Sequence, residues 1–67
     1  SAEQIEKACA IVEAFEEAET QGEAVVSLGS KMIDPPVVQR ALNVVREAES
    51  AGLLAADWRE AKEEPES

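Results

Sequence analysis

The stretch GEAVVSLGSKMIDPPVVQRAL, residues 22–42, decides the fold, because its periodicity changes within it from that of strands to that of a helix. Ala24-Val25-Val26-Ser27-Leu28 and Lys31-Met32-Ile33 are short runs rich in branched or bulky residues, as strands are. Gly29-Ser30 separates them, and glycine at the first loop position suits a two-residue hairpin turn. That turn sets Leu28 opposite Lys31, Ser27 opposite Met32 and Val26 opposite Ile33. A two-stranded ribbon alone is marginal in water, so one of its faces must pack on a helix or a partner. Asp34-Pro35-Pro36 then reads as a helix start, since aspartate is a favoured N-cap and proline a favoured first helical residue. Val37, Val38, Ala41, Leu42, Val45 and Ala48 give that helix an apolar stripe, and Gly52 ends it.

Upstream, Ser1 and Gln4 have the spacing of a capping box. Ile5, Ala8, Cys9, Val12, Phe15 and Ala18 recur at helical spacing, while Glu3, Glu6, Glu13, Glu16 and Glu17 fall mostly off that stripe. The spacing predicts a helix over residues 2–20, closed by Gly22 in the left-handed conformation. Downstream, residues 53–62 read as a helical extension carrying Trp58, and residues 63–67 as a disordered acidic tail. The fold class is α+β, mainly α: a helix–hairpin–helix domain over residues 1–52 with a short C-terminal helix.

At 67 residues the chain holds one small domain. A core of that size supplies roughly 3–5 kcal/mol, and small folds usually add a staple. Cys9 is the lone cysteine, which excludes an internal disulfide, and no histidine is present for a familiar zinc site. Fifteen acidic residues against six basic ones give a net charge of −9. Such a surface repels phosphate backbones and anionic lipid, so nucleic-acid and membrane-surface roles are not expected. No apolar run approaches the roughly 20 residues of a membrane span. A start at Ser1 without methionine leads to the expectation of a fragment or a processed chain.

Each residue with chemistry in it also has a bland role. Gly22 and Gly29 enclose six residues and lead into Ser30-Lys31, whereas a phosphate-binding loop needs four and a Gly-Lys-Ser/Thr ending, so a hairpin turn is the better reading. Cys9 lies on the apolar stripe with no histidine to activate it and reads as a small buried hydrophobe. Glu16, Glu17 and Glu19 read as a solvated helix face, because one helix does not offer a metal convergent oxygens. Trp58 is either a core plug or an anchor on a partner surface. Asp34, on composition and spacing alone, is an N-cap.

The motif Gly29-Ser30-Lys31-Met32-Ile33-Asp34, together with AFEEAETQGEAVVSL before it and PPVVQRALNVVREAE after it, resembles the C-terminal segment of citrate lyase beta-subunit-like proteins. That family includes malyl-CoA, methylmalyl-CoA and citramalyl-CoA lyases and thioesterases. The likeness runs over about residues 4–50, and nothing beyond Leu53 has a counterpart. Ser30 is inserted between the glycine and lysine of the family's Gly-Lys-Met-Ile-Asp signature, a departure that affects the turn more than the chemistry.

The resemblance implies a parent (β/α)8 barrel, absent from this chain, that binds Mg²⁺ and an acyl-CoA. It implies a trimer or hexamer in which this segment is a lid over a neighbouring subunit's active site. Apart from the resemblance, the lone thiol makes a reducing, cytoplasmic compartment the simplest expectation. The resemblance assigns Asp34 a part in proton transfer, with Lys31, Met32 and Ile33 supporting it, and takes Trp58 as a contact to the missing barrel. The reaction implied is cleavage of a 3-hydroxyacyl thioester such as malyl-CoA, citramalyl-CoA or a citryl thioester. The isolated chain is then expected to hold no metal of its own, to catalyse nothing and to self-associate. The rival reading is a free-standing acidic helical interaction module in which Asp34 is only a cap. A self-contained hydrolase is disfavoured, since no second polar group converges with Asp34.

Overall fold

The computed structural model describes residues 2–63 and contains a helix α1 (Ala2–Thr20), strands β1 (Val26–Leu28) and β2 (Lys31–Ile33), a helix α2 (Pro35–Ser50) and a short helix α3 (Trp58–Glu63). α1 ends where the spacing places its end. Gly22 takes φ 72°, the Glu23 N–H donates to the Ala18 carbonyl at 2.8 Å, and the Gly22 N–H donates to the Glu19 carbonyl at 3.1 Å. This Schellman closure satisfies carbonyls that the helix itself leaves open. α2 closes in the same way, with Leu53 donating to Ala48 and Gly52 to Glu49.

The hairpin has the predicted register, with Val26 against Ile33, Ser27 against Met32 and Leu28 against Lys31. Gly29 sits at φ 64° while Ser30 stays at negative φ, as a type II′ turn requires. β1 is shorter than expected, beginning at Val26 and not Ala24. The ladder stops there because its next hydrogen-bonded rung would pair Ala24 with Pro35, which has no N–H to give and is already the first residue of α2. The Asp34 carbonyl accepts the N–H groups of Val37 at 2.9 Å and Val38 at 3.1 Å.

The core lies in the seam between α1 and α2. Ala8, Cys9, Ile11 and Val12 from α1 meet Val38, Ala41 and Val45 from α2, and Val12 is wholly enclosed. The alanines keep the two helices close, and Phe15, Val26 and Ile33 dock the hairpin at one end of the seam. Ile11 was not on the predicted stripe, yet it is buried, since the seam is wider than the stripe.

Three expectations change. Residues 53–57 run as turns, so the third helix starts at Trp58 and not Leu53, after the Schellman closure at Gly52 has redirected the chain. Glu63, assigned to the tail, is the last residue of α3. Ser1 of the expected capping box and residues 64–67 of the tail lie outside the described residues. Trp58, taken as a partner contact, is 6% exposed and belongs to the chain's own core: α3 carries its indole back across the helix pair. No described helix is long and apolar enough to cross a membrane.

Candidate functional site

Where β2 meets α2, four motif residues follow one another with different fates. Lys31 and Met32 are exposed, Ile33 is half-buried against the core, and Asp34 is exposed at the first bend of the backbone into α2. Asp34 holds the backbone pose of an N-cap, φ −71° and ψ 149°, and its carbonyl starts the helix. Its side chain makes no capping hydrogen bond, which corrects the expectation that the carboxylate caps α2. An N-cap side chain accepts from the N–H of the second or third helical residue. The second is Pro36, which has none, and the N–H of the third, Val37, is already donated to the Asp34 carbonyl. The signal was present in the sequence as Pro35-Pro36, which both starts the helix and removes donors at its first two positions.

Asp34 lines a groove of about 390 Å³ between the hairpin and α2. Phe15, Val26, Met32, Ile33 and Leu42 are among the apolar residues of its wall, with Gln39 as a further polar group. Met32 is 72% exposed and Val25 48%, so the groove opens through an apolar rim. A carboxylate beside an apolar groove can exchange a proton with a ligand seated there while the walls exclude water.

The remaining polar features lie elsewhere. The Arg59 guanidinium donates to Glu16 at 2.9 Å and 2.8 Å, from α3 to α1, and stacks over the Trp58 ring at 4.7 Å from its centroid. The hydrogen bond to Glu16 holds Arg59 above the usual arginine range. The Trp58 indole N–H donates to Glu49 on α2 at 3.1 Å. Trp58, Arg59, Glu16 and Glu49 thus form a clasp that ties α3 to both long helices. Glu16 was read as plain solvated surface; nothing in the local pattern marks a partner 43 residues away. Cys9 is buried, as expected, and lines a hollow with Ile5, Glu6, Leu54 and Trp58. Among the described residues no group of three or more His, Cys, Asp or Glu side chains could hold a metal ion.

These features define an α+β module, mainly helical, with an apolar groove beside a carboxylate at the hairpin–helix junction. The chain is 52% identical over 46 residues to the citrate lyase subunit beta of Haemophilus influenzae, covering 69% of this chain and 16% of that protein. It is 44% identical over 50 residues to the citrate lyase subunit beta of Escherichia coli K12, covering 75% of this chain and 17% of that protein. The chain therefore spans about a sixth of the length of the curated relatives it matches. No family model matches it, and no solved structure does. The partial likeness supports kinship with citrate lyase beta subunits.

Proposed function

We propose that this chain is the lid segment of a citrate lyase beta-subunit-like enzyme, supplying Asp34 to the active site of a neighbouring subunit. The observation that carries the reading is a carboxylate at the hairpin–helix junction, lining an apolar groove and free of a capping bond. The similarity to two citrate lyase beta subunits supports a lyase as the reaction class; the citryl, malyl or citramalyl thioester comes from the motif resemblance. The similarity also weighs against the free-standing interaction module, which would leave that likeness unexplained.

In the cleavage direction the 3-hydroxyl group loses its proton to a base other than Asp34 and becomes the carbonyl of the departing oxo acid. The C2–C3 bond breaks, its electron pair passes to the thioester as an enolate, and the enolate takes a proton at C2. Asp34 handles the proton at C2: its carboxylic acid gives it in cleavage, and its carboxylate removes it in condensation. Supplying this group from a lid completes the site only when the lid has closed and water is excluded. The resemblance also implies Mg²⁺, but the described residues of this chain form no site for it. The part proposed for Asp34 is at the carbon-bound proton.

The test is steady-state cleavage of citryl, malyl and citramalyl thioesters by the full-length parent enzyme, wild type against Asp34→Asn. A loss of about 10²-fold or more in kcat, with the oligomer intact and KM little changed, is expected for a lost proton-transfer group. Near-normal turnover would return Asp34 to a purely structural place at the start of α2.

A further inference from the structure

The two prolines after Asp34 do more than begin α2. Asp34 already has the extended backbone of an N-cap, and its carbonyl already receives Val37 and Val38. The pose for side-chain capping is present, and what is missing is a donor. Of the two amides an N-cap side chain ordinarily reaches, the one at Val37 is spent on the Asp34 carbonyl. The other is replaced by Pro36, whose ring nitrogen carries no hydrogen. An aspartate with a free N–H at that position would fold back on its own helix.

We propose that Pro36 is a positioning residue for Asp34: by withholding that amide it keeps the carboxylate off the helix end and available to the groove. The inference rests on the reading of Asp34 as a proton-transfer group, and it adds the device that keeps the group available. Pro35 does not share the role, because the amide of the first helical residue is not the one a capping side chain accepts from. Asp34 is the one ionisable residue among those lining the groove, and no ion pair is formed to it among the described residues. Lys31 on β2 and Arg40 on α2 are the nearest cations along the chain, and neither lines the groove.

The experiment compares Pro36→Ala with Pro35→Ala by two readouts. The first is the NMR titration of the Asp34 carboxyl carbon in the 67-residue chain. In Pro36→Ala the new amide bonds the ionised carboxylate, so the titration midpoint moves to lower pH, and Pro35→Ala leaves it in place. Replacing Pro36 by N-methylalanine, which has no N–H and no ring, restores the wild-type midpoint. The second readout is kcat against pH in the full-length parent enzyme. Pro36→Ala lowers kcat by roughly 10-fold, part of what a positioned acid or base contributes, while KM stays within about twofold. An unmoved midpoint in Pro36→Ala, or an equal shift in Pro35→Ala, overturns the proposal whatever the kinetics. A shifted midpoint with wild-type kcat, in an enzyme that Asp34→Asn inactivates, overturns the positioning role. If Asp34→Asn itself turns over normally, the catalytic reading fails, and the midpoint in Pro36→Ala still decides whether the proline uncaps the aspartate.

Discussion

Gly29 shows what a single residue contributes to this chain. At φ 64° it makes the turn that sets the hairpin register, and through the register the placement of Ile33 against the core and Asp34 beside the groove. A methyl group added there meets nothing within 4 Å, so an L-residue would suffer backbone strain and no clash. Gly29→Ala is expected to cost about 1–3 kcal/mol, the strain of an L-residue at a positive φ that glycine adopts freely, while D-alanine at the same place costs almost nothing. Thermal unfolding of the two synthetic chains checks this, and equal melting temperatures would remove strain as the explanation. The position was legible in the sequence because glycine before a small polar residue, between two bulky runs, has few other uses. The uncapped state of Asp34 was not read from it, because aspartate before proline is so regularly a cap that the missing donor at the next residue went uncounted.

Among the elements, α3 depends most on contacts made far along the chain. Its place is set by the Trp58 indole in the core and by two polar contacts, one to α1 and one to α2. Truncating a buried tryptophan costs about 3–5 kcal/mol, as much as a core of this size supplies, so Trp58→Ala is expected to leave the chain largely unfolded at room temperature. Arg59 and Glu16 are each around 40% exposed, and such pairs contribute at most about 1 kcal/mol. Arg59→Ala should therefore lower stability by about 0.5 kcal/mol in dilute buffer, and by less in 1 M salt, as screening predicts. Circular dichroism melts at two salt concentrations separate the two effects. The sign with pH follows from the raised arginine: its contribution is fully present below the ordinary arginine value and is lost only as pH rises through the raised one. The arginine side of the clasp is therefore constant across neutral pH. Helical periodicity revealed α1 and α2 because each carries its own stripe. It misplaced the start of α3, since Leu53 and Leu54 continue an apolar pattern across residues that the closure at Gly52 has turned away.

For the molecule as a whole, the order of elements, the fold class and the hairpin register were all legible, since each follows from neighbours within a few residues. What the exposed apolar rim of the groove meets was not, because it depends on what lies against the chain. Of the groove rim, Met32 and Val25 are apolar and exposed on a protein of net charge −9. If this rim seats on a neighbouring subunit, Met32→Glu leaves the stability of the chain within about 0.5 kcal/mol, the usual range for an exposed substitution. In the parent enzyme it raises KM or lowers kcat as lid closure weakens. Unchanged kinetics with unchanged melting would place the seat of the lid on another face. The clasp gives such work a built-in gauge. The chain has one tryptophan, which lines the hollow under α3. Trp58 is buried while α3 is seated, so lifting α3 moves the indole into water and its emission maximum to the red, and the seating of α3 is read without any added dye.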